Sequence, residues 1–251
     1  MNRNARIALG VVAATLVTWV GAWFGLASHI EGRALAWIER ERERGNILAY
    51  RALRIDGFPF TWRLIAEDYE IGRPLPMAQL LTGARLEATL LPWQLHDVPI
   101  RLPGRHRIER RDATGMTVIE LEAARPEARL QLSSAGRIRA LDVDLGDLTA
   151  RVPGGAEAVK ARRVHLLARA LEPIDPTMRE FFNLTLELDD VEPPPGLQAP
   201  FNQKLRRGEA EIGVRGDLPR GATPADTVTG WRDSGGVVEL RKLTLDWAPL
   251  Y

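Results

Sequence analysis

From Ile7 to Ser28 the chain runs through 22 residues without a formal charge, IALGVVAATLVTWVGAWFGLAS. As a helix this run is about 33 Å long, enough to cross a hydrocarbon core about 30 Å thick. Such a segment spans a membrane, is removed as a leader, or is covered by the rest of the fold. Arg3 and Arg6 precede it and no acid occurs before Glu31, so the first 30 residues carry +2. The other 221 hold 32 basic and 33 acidic residues, a net of −1. Basic charge ahead of the run predicts a cytoplasmic tip at 1–6, an anchor at 7–28 and an exported body. Trp19 and Trp23 fall toward the outer end, where interfacial anchors belong. Cleavage is the competing reading, because Gly25, Leu26 and Ala27 loosely meet a small-x-small rule. The run is, however, longer than the roughly 7–15 apolar residues of an ordinary leader. A buried N-terminal helix is the third alternative.

Residues 29–46 continue as a charged helical stalk with Ala34, Leu35 and Ile38 on an apolar stripe, and Gly45 with Asn46 predicts its stop. Beyond it the hydrophobic period shifts from helix to strand. Phe60–Ile71, Arg105–Arg111, Thr117–Ala123, Ala128–Ser134, Glu209–Gly216 and Val237–Trp247 read as strands. Arg85–Trp93 and Gln94–Leu102 flank a kink at Pro92, and Arg125–Pro126 reads as a turn. Leu141, Val143 and Leu145 alternate with Asp142 and Asp144; Leu184, Leu186 and Leu188 alternate with Thr185, Glu187 and Asp189. That pattern describes antiparallel strands covered on one face. Pro76–Leu81 is a short helix candidate, as is Pro173–Asn183 with Pro176 at its first position. The fold expected is mainly β: a long, curled, mostly antiparallel sheet, a half-barrel or open barrel, with few short helices. Residues 48–251 form one exported body crossed by a proline-rich loop at 192–200.

The chain contains no cysteine, which excludes disulfides, thiolate nucleophiles and Cys-ligated metals, and its four His are scattered. A formal charge of +1 excludes a polybasic nucleic-acid-binding body. Gly154–Gly155 lacks any phosphate-loop context, and Ser133 and Ser134 lack a nucleophile elbow. His96 and Asp97 are sequence neighbours and point to opposite faces of a strand. His106, among Arg105, Arg107, Arg110 and Arg111, reads as part of an exposed basic patch, and His165 as a surface strand residue. No catalytic residue, metal site or cofactor is assigned. Phe58, Phe60, Trp62 and Trp93 are candidates to line an apolar groove, and Arg101, Arg105 and Arg107 to meet lipid headgroups.

Tyr50, the block Arg54–Ile55–Asp56–Gly57–Phe58–Pro59–Phe60 and Trp62–Arg63 closely resemble the DUF2125 family of uncharacterised bacterial proteins. Leu91–Pro92–Trp93, His96 and the terminal Leu245–Asp246–Trp247–Ala248–Pro249–Leu250 are similar to it as well. The resemblance implies an envelope protein of Gram-negative bacteria, chiefly alphaproteobacteria, in the inner membrane with its body in the periplasm, and no established activity. Ala248 stands where the family tends to have Gly, and family members usually run on for further strands, so a shortened or incomplete chain is expected. More distantly, the arrangement resembles the anchored, curled-sheet AsmA-like group, whose members are linked to outer-membrane lipid transport. Three functions follow as expectations. The first is a non-enzymatic carrier whose sheet holds an acyl chain or other amphipathic ligand, with membrane lipid as partner. The second is an assembly factor that binds another envelope protein. The third, a hydrolase with a dispersed site, requires His96 or His106 within about 3 Å of a buried carboxylate or hydroxyl.

Overall fold

The computed structural model describes residues 3–73, 78–112, 115–134, 138–153, 158–171, 180–194, 204–216 and 224–247. One helix, α1 (Arg3–Glu43), continues through the apolar run and the charged segment without a break. It stops where expected. Gly45 takes φ 84°, its N–H donates to the Arg42 carbonyl, and the Asn46 N–H donates to the Glu41 carbonyl. Glycine reaches that left-handed conformation without steric cost, so the last helical carbonyls are satisfied.

Thirteen strands join one sheet. They are β1 (Ile47–Ala49), β2 (Ala52–Asp56), β3 (Trp62–Arg73), β4 (Ala78–Leu90), β5 (Asp97–Arg101), β6 (Arg105–Asp112) and β7 (Gly115–Glu122). There follow β8 (Arg125–Leu132), β9 (Ile138–Arg151), β10 (Ala158–Ala170), β11 (Glu180–Glu192), β12 (Leu205–Arg215) and β13 (Val237–Trp247). A second helix, α2 (Pro224–Asp233), stands between the last two. Every strand pairing is antiparallel. The N-terminal half of β4 bonds β6 and its C-terminal half bonds β5. In the same way β9 bonds both β7 and β8, so the bonding closes a ring through six strands although the sheet stays open and is no closed barrel.

Three strands, β3, β9 and β11, carry a crease, a single left-handed residue at which the ladder is interrupted. Asp68, Asp147 and Asp190 each sit inside a strand at φ 47°, 51° and 50°. The ladder skips each of them and resumes on both sides in the same register: Glu67↔Arg85 and Tyr69↔Gly83 flank Asp68, and Gly146↔Arg163 and Leu148↔Ala161 flank Asp147. Arg162 thereby lies between Asp147 on one neighbour and Asp190 on the other. Aspartate is one of the few L-residues that enters this region readily. Arginines meet the crease: Arg51 contacts Asp68 at 2.6 Å and Arg162 contacts Asp190 at 2.7 Å. Exposed pairs like these fix side-chain placement more than stability.

Three expectations are corrected. Residues 78–81 of the Pro76–Leu81 helix candidate belong to β4, and residues 180–183 of the Pro173–Asn183 candidate belong to β11. In both, pairing with neighbouring strands overrides a local helix signal; residues 74–77 and 172–179 lie outside the described residues. Arg125–Pro126 is strand, not turn, and the Pro126 carbonyl accepts the Leu102 N–H at 3.1 Å. Gly154–Gly155, residues 195–200 of the proline-rich loop and Ala248–Leu250 lie outside the described residues.

If the left-handed aspartates shape the crease, a β-branched residue there is strained. Asp147→Val is expected to lose about 1–2 kcal/mol of stability in thermal melts followed by circular dichroism, with most of the loss recovered in Asp147→Asn.

Candidate functional site

Residues directly opposite on neighbouring strands share a face of a sheet. Followed strand by strand, the pairing links Ile55, Leu64, Ala88, Ile100 and Ala128 into one row. The same row continues without interruption through Val143, Leu166, Leu186, Ala210 and Leu243. Strands lie about 4.8 Å apart, so this unbroken apolar row across ten strands is about 43 Å long. A second row two residues away runs Val98, Leu130, Leu141, Ala168, Leu184, Ile212 and Leu240. On the other side Leu145, Val164 and Leu188 make a third.

The opposite face is charged. Its central row passes through Glu87, Arg101, Glu127, Asp144, His165, Glu187 and Glu209. Arg163 holds Asp144 in a two-pronged contact at 2.6 and 3.1 Å, and this hydrogen bond keeps the Asp144 carboxyl below the usual carboxylate range. His165 Nε2 lies 2.9 Å from Asp142.

Little covers the apolar face. Of the ten residues in the central row none is buried, and on β13 Leu240 and Leu243 are both 57% exposed. The whole chain exposes 16771 Å². A compact chain of its 27.9 kDa would expose about 11,000 Å². The difference reflects a projecting helix and a sheet that is one layer thick. Among the described residues α1 roofs the first strands, where Trp23 and Ala27 pack on Trp62 with Ile30, Ile55 and Leu90, and farther along the same face Val98 on β5 and Ala168 on β10 are buried as well. There the Trp23 indole N–H donates to the Thr61 carbonyl at 3.1 Å, and the Trp62 indole N–H to the Trp23 carbonyl at 3.4 Å.

The four aromatic groove candidates therefore part company. Trp62 alone sits in the apolar register, opposite Leu90, and is buried. Phe58, Phe60 and Trp93 occupy two loops at the strand ends and are 48%, 62% and 70% exposed. Of the anchor candidates, Trp19 is exposed, whereas Trp23 is buried against the sheet and its ring meets Phe58 edge-on at 5.4 Å. Each headgroup candidate has a glutamate partner: Arg101 with Glu127 at 3.7 Å, Arg105 with Glu122 at 3.1 Å, Arg107 with Glu109 at 2.8 Å. Among the described residues no group of three or more His, Asp or Glu is placed to hold a metal ion.

His106 corrects the reading of an exposed basic patch, for it is buried. Tyr69, Gly83 and His106 are directly opposite one another on β3, β4 and β6. A Cβ on Gly83 would collide with the His106 ring and with Tyr69, so glycine lets the two rings meet above it. The Tyr69 hydroxyl lies 2.9 Å from His106 Nδ1, and His106 Nε2 lies 2.6 Å from the Leu102 carbonyl. A carbonyl only accepts, so Nε2 carries the ring hydrogen and Nδ1 accepts a hydrogen bond from the Tyr69 hydroxyl. The distance set for a hydrolytic histidine is met, yet both ring nitrogens are occupied. The arrangement works as a clasp across three strands at the crease, beside a depression of about 390 Å³.

The family model described as "Uncharacterized protein conserved in bacteria (DUF2125)" matches residues 23–251. The chain belongs to the DUF2125 family. No curated protein and no solved structure matches it, and the more distant likeness to the AsmA-like group gains nothing from these comparisons.

The clasp can be read by titration. Burial pushes the Tyr69 phenol up to about 12. A raised folded-state value means that Tyr69 contributes stability fully below about pH 10, its unfolded value, and loses it as pH climbs through about 12. Absorbance at 295 nm should show a late tyrosinate step that disappears in Tyr69→Phe. The same variant leaves Nδ1 of His106 without its donor and is expected to cost about 1–3 kcal/mol.

Proposed function

We propose that this DUF2125 member is a membrane-anchored, non-enzymatic envelope protein whose open apolar sheet face holds or passes the acyl chain of a lipid. The observation that carries the reading is the ten-strand apolar row, half-buried from Ile55 to Ala210 and exposed at Leu243. A soluble sheet that exposes so continuous an apolar surface is a binding surface or an aggregation hazard. One leaflet of a bilayer offers tails roughly 15 Å long, half of the hydrocarbon core. A row of about 43 Å accommodates such a chain with room to move along it. Apolar sites of this kind need few polar groups, in keeping with a charged face turned the other way.

The proposed location is supported by α1. It contains one stretch long and apolar enough to span a membrane, with a mean hydropathy of 1.6. Arg3 and Arg6 ahead of it support an N-terminus in the cytoplasm and a periplasmic sheet.

One observation favours a second reading, assembly through protein contacts. Among the described residues β13 pairs only with β12, and Val238, Leu240, Leu243 and Leu245 on it are exposed. An edge strand of that kind can accept a strand from another chain.

The two readings separate by mass analysis of the full-length protein extracted gently from membranes. The carrier reading expects co-purified phospholipid with the wild type and its loss in Leu166→Arg with Leu186→Arg, while the sheet stays folded. Lipid retained by that double variant, or absent from a folded wild type, contradicts it.

A further inference from the structure

The three aromatics that left the groove, Phe58, Phe60 and Trp93, stand together at one end of the sheet. Leu90 pairs with Trp62, so the loop after β4 lies beside the loop before β3. Neither Gly57–Trp62 nor Leu91–Leu95 contains a charged residue. Gly57 takes φ 106° and has Thr61 closed tightly over it, with the Thr61 N–H and hydroxyl both donating to the Gly57 carbonyl at 3.0 Å. This tight turn pushes Phe58 and Phe60 outward; across from it Trp93 and Leu95, 49% exposed, project from the other loop.

The height of this loop end is set by α1. Phe58 packs on Trp23 and Phe24 at ring distances of 5.4 and 6.0 Å, and Thr61 accepts the Trp23 indole N–H. Trp23 lies five residues before Ser28 and eight before Glu31, the first charge after the apolar run. At 1.5 Å per residue the contact is about 12 Å to the membrane side of that charge. If α1 crosses a bilayer, Phe58, Phe60, Trp93 and Leu95 cannot remain in bulk water.

We infer that this loop end is a membrane-docking surface, with Phe58, Phe60, Trp93 and Leu95 seated in the outer interface of the bilayer that α1 crosses. The occupant is lipid. Aromatic side chains partition to that depth, and the uncharged loops add no desolvation penalty of an ion. The apolar row starts two residues above, at Leu64 opposite Ala88, which is about 7 Å along the strands from Trp62 and Leu90. The docked end thus lies beside the start of the row that α1 roofs, on the same face as its continuation through β5 and beyond. The inference rests on the proposed anchoring.

The lack of cysteine makes the test direct, because a single introduced thiol takes a single spin label. The full chain is reconstituted in vesicles of phosphatidylethanolamine and phosphatidylglycerol, labelled in turn at Phe60→Cys, Trp93→Cys, Val17→Cys and Val152→Cys. Val17 lies in α1, and Val152 is an exposed residue just past the end of β9 remote from these loops. Relaxation by oxygen is compared with relaxation by a water-soluble nickel chelate. Docking predicts oxygen-dominated relaxation at 17, 60 and 93, and nickel-dominated relaxation at 152. Oxygen at 17 with nickel at both 60 and 93 overturns the docking surface while leaving the anchor intact. Nickel at 17 overturns the anchoring and the docking with it. If Phe60→Cys does not give the native circular dichroism spectrum, Leu95→Cys reports on the same end.

Discussion

The structure depends on one register being kept across ten strands. Side chains alternate with period two, so a slip of a single residue at any ladder would turn one strand's leucines toward the charged face. No such slip breaks the row from Ile55 to Leu243. Even the crease preserves it: the ladder skips Asp68, Asp147 and Asp190 and resumes in step. The charged face reinforces that register through pairs such as Arg163 with Asp144. Apolar residues elsewhere drive chains to build a second layer. Here, among the described residues, only α1 forms a second layer over the first strands, and the free energy that further covering would release is left available to a ligand.

The helix and the sheet answer different needs of the same surface. Trp23 and Ala27 roof the first strands, and the apolar face is most exposed at the other end of the sheet, at Leu240 and Leu243 on β13. The contact also ties the sheet to a fixed height on α1. In the proposed reading, anchoring and docking are then one geometric arrangement, with the loops bearing Phe58 and Trp93 at its base. The clasp of Tyr69 and His106 lies past the crease on β3 and β6, where it braces the half of the sheet that receives no support from Trp23.

Much of this was legible in the sequence, for identifiable reasons. The stop of α1 could be placed because Gly45 is a left-handed cap, and the end of Val237–Trp247 because Leu243, Leu245 and Trp247 alternate with Thr244 and Asp246. The one-sided strands announced an amphipathic sheet. Which strand neighbours which could not be read, and the apolar row exists only through those pairings. The fate of the aromatics was equally hidden. Trp62 and Phe60 are two residues apart, yet one is roofed by α1 and the other stands beyond the strand end. His106 misled because its sequence neighbours are arginines, while its spatial neighbours are Tyr69 and Gly83 on two other strands. The helix at 224–233 was missed although Pro224 at its start and Gly235 just past its end carry the usual asymmetry. Its tertiary purchase comes from Trp231, whose indole donates to the Arg215 carbonyl at 2.7 Å.

The central claim is that one face of the sheet meets lipid and the other meets water. Leu166 and His165 are adjacent on β10 and project to opposite faces, so a photoreactive amino acid at each position compares the two surfaces in one fold. Irradiation of intact membranes should yield lipid adducts at position 166 and none at 165. Lipid adducts at both positions, or protein adducts alone at 166, would contradict the account.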